Sequence, residues 1–182
     1  EFRRVLFRSS AYILKTSGGL IMIDSLYDEF TDAALSQMPA AGLNPRDIKY
    51  VVITHGHDDH AGGARRVQSR TGAKIVMAER DGMMSGVRPD IVVKDGDVLT
   101  LGDATLKMYL TPGHTPGVTS LSFTVFDNGK AHKAFLFGGH GQNFSGVSTT
   151  ETYIASVKRV QTLSADADVP ITNHPDAFQI IQ

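Results

Sequence analysis

The chain has 182 residues, of which 41% are hydrophobic and 20% are charged, and its formal net charge at pH 7 is −1. This composition indicates one globular domain, and the small net charge and the lack of a long apolar run argue against nucleic acid and membranes as partners. Because the sequence contains no cysteine, it excludes disulfides and cysteine nucleophiles and leaves histidines and carboxylates to bind a metal.

The first nine residues, EFRRVLFRS, contain no Met, and one reading frame of a common sequencing-adapter oligonucleotide translates to the same nine residues. We therefore interpret residues 1–9 as a sequence artefact and residues 10–182 as one truncated domain that lacks its natural N-terminus. A genuine basic, amphipathic segment is the alternative. Any signal peptide would lie in the missing part, so the compartment stays open between the bacterial periplasm and the cytoplasm.

The first half of the chain predicts alternating strands and helices. Its strands are predicted at residues 11–16, 20–24, 48–54 and 74–78, and its helices at residues 28–38 and 64–70. The Ser-Gly-Gly sequence at residues 17–19 favours a hairpin turn between the first two strands.

The second half predicts a run of strands, then one helix and a last strand. The strands are predicted at residues 98–101, 104–110, 118–126, 133–137 and 168–172, and the helix at residues 150–163. Apolar residues recur within that helix at helical spacing, which favours packing in the core. These residues are Tyr153, Ile154, Val157, Val160 and Leu163.

Three histidines and two aspartates occupy residues 55–60, HGHDDH, directly after the apolar strand predicted at 48–54. Open α/β sheets place their sites where a strand ends and a loop begins. Zinc binds neutral imidazole nitrogen and carboxylate oxygen, usually with four ligands. His55 and His57 could therefore share one metal, and Asp59 and His60 could reach a second.

Two further histidines follow predicted strands later in the chain. His114 lies in the sequence PGHTPG at residues 112–117, where Pro and Gly on both sides hold a rigid turn. His174 follows the last predicted strand and precedes Pro175. Together with the first cluster they complete two sets of candidate metal ligands. The sets are His55, His57 and His114, and Asp59, His60 and His174.

The motif His-x-His-x-Asp-His with two downstream histidines resembles the signature of the metallo-beta-lactamase superfamily of hydrolases. Segments at residues 20–24, 43–48, 61–63 and 95–97 also resemble this family, and the resemblance runs in order from about Ala11 to about Ala177. It implies an α/β fold, a four-layer αββα sandwich that is incomplete here at the N-terminus. The missing strands would leave an unpaired sheet edge.

One position departs from the commonest pattern of this family. Many members carry an Asp that bridges two metals, whereas residues 138–141 here read Gly-Gly-His-Gly and place His140 near that position. The third subclass of zinc beta-lactamases also lacks this Asp and uses the same two ligand triads, so the resemblance is strongest to that subclass. His140 could bind a metal, donate a hydrogen bond to the substrate or only line the loop, whereas His132 is expected at the surface.

The resemblance implies a hydrolase with two zinc ions, with iron or manganese as alternative metals. Water activated by the metals is expected to attack the carbonyl carbon of a small-molecule substrate, and Asp59 is expected to be a catalytic residue as well as a ligand. A beta-lactamase-like activity is the first expectation. A lactonase, esterase or thioesterase and an inactive metal-binding fragment are the alternatives, and the oligomeric state stays open.

Other residues are candidates for contacts beside the metals or with the substrate. Asp58 and Asn143 are expected either to support the ligands or to contact the substrate, and Asp58 could equally be exposed. The segments at residues 81–89 and 139–147 are expected to be loops that hold the substrate. Their apolar candidates are Met83, Met84 and Phe144, although Met and Phe are more often packing residues.

Overall fold

The structure, a computed structural model, describes residues 2–6 by their backbone and residues 9–141 and 145–174 with their side chains. Within these residues two β-sheets form the centre, one of six strands and one of five. The strands of the first sheet are β1 (Phe2–Leu6), β2 (Ser10–Thr16), β3 (Gly19–Ile23), β4 (Ile48–Val52), β5 (Lys74–Met77) and β6 (Ile91–Val92). Those of the second are β7 (Val98–Leu101), β8 (Ala104–Leu110), β9 (Thr119–Asp127), β10 (Lys130–Phe137) and β11 (Val169–Thr172).

The order and direction of the strands bring loops from both sheets to one edge. The first sheet runs in chain order, antiparallel from β1 to β3 and parallel from β3 to β6. The second has the order β11-β10-β9-β8-β7, and its one parallel pair is β10 with β11. A hydrogen bond of 2.7 Å from Thr119 N to Thr54 O joins the two sheets where β4 ends. The loops after β3 and β4 therefore meet the loops of the second sheet.

The helices cover the outer faces of the two sheets. They are α1 (Asp28–Gln37), α2 (Asp58–Ala61), α3 (Ala64–Thr71), α4 (Glu79–Ser85) and α5 (Val147–Leu163), with short 3-10 helices at Met38–Ala41 and Pro45–Asp47. Leu35 of α1 and Val67 of α3 share a buried cluster with Met22 of β3. Because side chains alternate along a strand, Ile21 and Ile23 lie in a second cluster between the sheets.

α5 lies beside the outer face of the second sheet. Ser156 Oγ donates a hydrogen bond of 2.6 Å to Pro112 O, and Arg159 Nη1 donates one of 2.8 Å to Leu110 O. The guanidinium of Arg159 also lies 5.9 Å from the ring centroid of Tyr109. The layers are therefore helix, sheet, sheet and helix, which confirms the αββα architecture that the resemblance implied.

The prediction that α5 packs in the core was wrong. Ser156 is the buried residue of this helix, and Ile154 is 47% exposed. Val160 instead lines a cavity of about 460 Å³ with Phe135 and Ile171, and Val160 belongs to neither of the two buried clusters. Helical spacing indicates which residues share a face, but the distance of that face from the sheet depends on the rest of the fold.

Two further expectations differ from the structure. Residues 1–9 were left out of the predicted fold, but the five residues of β1 pair antiparallel with β2, from Phe2 with Leu14 to Leu6 with Ser10. This pairing uses backbone groups, which every residue but proline supplies in full. Residues 81–89 were expected to be a loop, but α4 extends to Ser85. None of the helices in the described ranges combines the length and the apolar character that crossing a membrane requires.

Candidate metal centre

The structure brings all six predicted metal ligands to the shared edge of the two sheets. His55 and His57 lie in the loop after β4, and Asp59 and His60 lie in α2, which follows that loop. The other two residues come from the second sheet. His114 lies between β8 and β9, and His174 follows β11. Side chains that are more than a hundred residues apart in sequence therefore lie next to each other.

Three histidines form the first cluster. Side-chain nitrogens of His55, His57 and His114 all lie within 4.8 Å of one another. Their ring centroids are 4.9 Å apart for the first two residues, 4.7 Å for His55 and His114, and 4.8 Å for His57 and His114. His55 is fully buried and the other two are half-buried. This is the number and kind of protein ligands found in catalytic zinc sites.

The tautomers of this cluster follow from its hydrogen bonds. His55 Nδ1 lies 2.8 Å from Gly138 O, and His114 Nδ1 lies 3.0 Å from Gly141 O. A carbonyl oxygen only accepts, so both Nδ1 atoms carry the proton and both Nε2 atoms present a lone pair. Within the described part of the chain neither buried Nε2 has a hydrogen-bond partner. Orphaned lone pairs that converge in this way fit a metal ion, which would satisfy them.

The second cluster consists of Asp59, His60 and His174. The Nε2 atoms of the two histidines are 2.9 Å apart. Asp59 Oδ2 lies 3.2 Å from Nε2 of His60 and 3.5 Å from Nε2 of His174. Two imidazole nitrogens and a carboxylate oxygen therefore face one point, and this donor set also fits zinc. Nitrogens of His55, His60 and His174 likewise lie within 4.8 Å of one another, so the two clusters adjoin.

The buried environment controls the charge of the first cluster. Burial lowers the pKa of His55 well below its usual range, and the neighbouring histidines lower it further. Burial likewise lowers the pKa of His114 to about 4, although its hydrogen bond to Gly141 opposes this shift. The pKa of His57 is also lowered, mainly by burial. All three imidazoles are therefore neutral at pH 7, which is the form that binds metals.

The carboxylates control the charge of the second cluster. Burial alone would lower the pKa of His60, but Asp24 and Asp59 outweigh it and raise this pKa to about 9. Burial would raise the pKa of Asp59, but the hydrogen bond and charge of His60 outweigh it and lower this pKa. Without a metal His60 would thus carry a proton beside Asp24 and Asp59, and a bound cation would replace that proton.

Two buried aspartates at this edge were not identified as site residues from the sequence. Asp24, just after β3, accepts hydrogen bonds from Thr54 and lies 2.8 Å from Nδ1 of His60. Asp81, the third residue of α4, was assigned to a substrate loop, but it is buried and accepts hydrogen bonds from both loops that carry the first cluster. The position of Asp24 at the end of a predicted strand beside β4 could have identified it as a site residue. No comparable sequence pattern identifies Asp81 as a site residue.

The remaining candidates lie around the two clusters. The ring centroid of His140 is 5.7 Å from that of His174, so His140 borders the second cluster. Asp58 is exposed at the first position of α2 and lines a surface cavity with Tyr27. Asn143 and Phe144 lie outside the described residues.

Three predicted peripheral residues lie at or near the surface. Met83 and Met84 are exposed on α4, 74% and 46% respectively. His132, expected at the surface, is partly exposed and lies 2.7 Å from Asp168 Oδ2 through its Nδ1. It takes no part in either cluster.

The sequence of this chain is similar to those of two curated hydroxyacylglutathione hydrolases. The hydroxyacylglutathione hydrolase of Hyphomonas neptunium is 36% identical over 149 residues, which are 81% of this chain and 54% of that protein. The hydroxyacylglutathione hydrolase of Maricaulis maris is 41% identical over 87 residues, which are 47% of this chain and 32% of that protein. The matched part of the chain thus spans about half or less of the length of these relatives.

Solved structures show the same fold. BJP-1, a subclass B3 metallo-beta-lactamase of Bradyrhizobium japonicum, superposes with a TM-score of 0.81 at 30% identity, covering 93% of this chain and 73% of that one. The FEZ-1 metallo-beta-lactamase of Legionella gormanii gives a TM-score of 0.88 at 25% identity, covering 98% of this chain and 78% of that one. A family model described as the metallo-beta-lactamase superfamily matches residues 4–125. Because this match extends over more than half of the sequence, the chain belongs to the metallo-beta-lactamase superfamily.

Proposed function

We propose that this protein is a hydrolase with two zinc ions, and that it cleaves a small molecule at a carbonyl group. His55, His57 and His114 would hold one ion, and Asp59, His60 and His174 would hold the other. The convergence of the buried, unpartnered Nε2 atoms of His55 and His114 is the observation that carries this proposal. Zinc is preferred over iron or manganese because the donors are mainly neutral imidazoles in groups of three.

Zinc at such a site supplies a Lewis acid and lowers the pKa of a coordinated water to about 7. The chain's own residues supply the orientation. The carbonyl groups of Gly138 and Gly141 hold the rings of His55 and His114, and Asp24 holds the ring of His60. Asp59 is ionised and half-buried, so its carboxylate offers a negative charge beside His60 and His174. These fixed groups would need little rearrangement during the reaction.

A beta-lactam is the first candidate substrate. The two solved relatives described above are metallo-beta-lactamases, and BJP-1 is of subclass B3. The resemblance of the ligand pattern to the third subclass, with His140 near the position of the usual bridging Asp, favours the same choice.

A thioester is the second candidate substrate, since the two curated relatives described above are hydroxyacylglutathione hydrolases. Lactones and other esters would use the same metals and the same attack on a carbonyl carbon. An inactive metal-binding fragment is the non-enzymatic alternative.

The deciding experiment combines metal analysis with two substrates. We expect the zinc-loaded chain to hold about two zinc ions and to cleave a chromogenic cephalosporin in a chelator-sensitive manner. Cleavage of S-lactoylglutathione in place of the cephalosporin would select the thioesterase. Two zinc ions without turnover of these or of lactone and ester substrates would support the inactive fragment. Absence of bound metal in a folded sample would contradict the proposal.

A matched pair of histidine variants tests whether the clusters hold the metal. His57→Ala removes one ligand of the first cluster, so we expect it to lose zinc and activity. His132→Ala removes a histidine that belongs to neither cluster, so zinc content and activity should stay at the wild-type level. Equal zinc content in the two variants would contradict the ligand assignment.

A further inference from the structure

The carboxylate of Asp81 lies between two loops that come from different sheets. The side chain is fully buried at the start of α4. Its Oδ2 accepts hydrogen bonds from Gly56 N at 2.9 Å and from Thr115 Oγ1 at 2.5 Å. Its Oδ1 accepts a third from Gly117 N at 2.6 Å. One side chain therefore binds the loop after β4 and the loop between β8 and β9.

Each of these hydrogen bonds lies close in sequence to a candidate metal ligand. Gly56 is the residue between His55 and His57, and Thr115 directly follows His114. The three imidazoles of the first cluster are thus carried by the two loops that Asp81 joins. None of these three hydrogen bonds involves an imidazole, so Asp81 orients the ligands through their loops, in addition to the electrostatic interaction of its carboxylate with His57.

The local sequence is adapted to this close approach. A Cβ added to Gly117 would lie 2.8 Å from Asp81 Oδ1, and one added to Gly56 would lie 2.8 Å from the carbonyl oxygen of Asp81. These distances are shorter than van der Waals contact, so both loops need glycine where they meet Asp81. Three donors also require a side chain that only accepts, which an ionised carboxylate does and an amide does not.

We propose that Asp81 is a positioning residue for the first metal site, which sets the separation of the two loops so that His55, His57 and His114 converge on one ion. This inference rests on the metal site of the proposed function. The three hydrogen bonds of Asp81 reach the loops that carry the first cluster, whereas Asp59 and His60 lie in α2 and His174 follows β11. Loss of such a supporting group typically lowers metal affinity about 10- to 100-fold.

The test is a titration of the metal-stripped full chain with Zn²⁺ in competition with a chromophoric chelator. Asp81→Asn keeps the shape of the side chain but turns an NH₂ group towards one of the donors. We expect it to weaken one of the two zinc sites about 10- to 100-fold and to leave the other at wild-type affinity. Repeating the titration in a His174→Ala background, which removes a ligand of the second site, should show the same loss.

A second variant keeps the inference testable if Asp81→Asn does not fold. Thr115→Val removes one of the three hydrogen bonds and keeps the size of the side chain, so it should weaken the same site to a smaller extent. The absorption spectrum of the Co²⁺-loaded protein gives a readout of ligand geometry, and we expect its bands to shift in both variants.

Two control variants separate positioning from general loss of stability. Asp90→Asn removes a carboxylate that accepts a hydrogen bond from Ile75 N at 2.8 Å, at the opposite end of the first sheet. Val67→Ala destabilises the buried cluster under α3. Both should keep wild-type zinc affinities and Co²⁺ spectra.

The possible outcomes are distinct. Wild-type affinities and spectra in both Asp81→Asn and Thr115→Val would overturn the role of Asp81 while leaving the metal site intact. An equal loss at both zinc sites, matched by Val67→Ala, would also overturn it, because the effect would then be one of stability. A wild-type chain that binds no zinc would overturn the proposed function and this inference with it.

Discussion

Asp24 Oδ2 lies 2.8 Å from Nδ1 of His60, and both side chains are fully buried. The same carboxylate accepts hydrogen bonds from the N and Oγ1 of Thr54, at 2.7 and 2.8 Å. Asp24 has a φ of 58°, which residues other than glycine rarely adopt. Its bonds to the end of β4 and to α2 stabilise this conformation, and they turn Nε2 of His60 towards Asp59 and His174.

Replacement of Asp24 by Asn should weaken zinc binding and stability together. An NH₂ group would face a donor, so a buried donor would lose its acceptor. We expect zinc affinity to fall about 10- to 100-fold and the free energy of unfolding to fall by about 1–3 kcal/mol. Zinc competition and urea unfolding measure the two effects. Asp127→Asn, at an exposed turn, is the control, and unchanged zinc affinity in Asp24→Asn would contradict the orienting role.

The adjacent residues Asp58 and Asp59 should respond differently to replacement by Ala. Asp59 Oδ2 lies within 3.5 Å of two imidazole nitrogens, whereas Asp58 is exposed. We therefore expect Asp59→Ala to abolish hydrolysis and Asp58→Ala to have a mild effect. The measurement is kcat/KM on whichever substrate the wild-type protein cleaves. Retained hydrolysis in Asp59→Ala would show that this carboxylate is not required.

The metal-stripped protein should be most stable near pH 6.5. The pKa of His114 is about 4 in the folded protein, below the value of about 6.5 for a free histidine. The unfolded chain therefore binds more protons in this interval, and stability falls as the pH drops through it. The pKa of His60 is raised to about 9, so its contribution is complete below about pH 6.5 and is lost as the pH rises towards 9.

Urea unfolding in the presence of chelator, at about pH 4.5, 6.5 and 8.5, would measure this profile. His114→Gln should make the decline on the acid side shallower, because one of the groups that is neutral in the folded state is then absent. A midpoint that does not change between the two lower pH values would contradict the assigned charge of the first cluster.

Two isoleucines provide a test of which residues form the core. Ile21 is fully buried between the two sheets, so Ile21→Ala should lower the free energy of unfolding by about 2–5 kcal/mol. Ile154 is 47% exposed on α5, so Ile154→Ala should change it by only about 0.5 kcal/mol. Urea unfolding of both variants measures the difference. A large loss in Ile154→Ala would mean that α5 packs as its spacing first predicted.

Much of the fold follows from local patterns. The apolar runs at β3, β4 and β5 and the hairpin between β2 and β3 were predicted within one or two residues, because burial on both faces of a strand leaves a direct trace in composition. The short helices α2 and α4 were not predicted, because four to seven residues show too little periodicity.

The sequence by itself determined the candidate ligands, since histidines and aspartates clustered at strand ends are typical of metal sites. It also suggested how these candidates divide into two sets, through their spacing and through the resemblance of the motif to the signature of the metallo-beta-lactamase superfamily. Only the tertiary structure decided the roles of Asp24 and Asp81 and the exposure of α5. These depend on contacts between residues distant in the chain, such as Asp81 with Gly117 and Asp24 with His60, and no local pattern encodes which aspartate is brought to which loop.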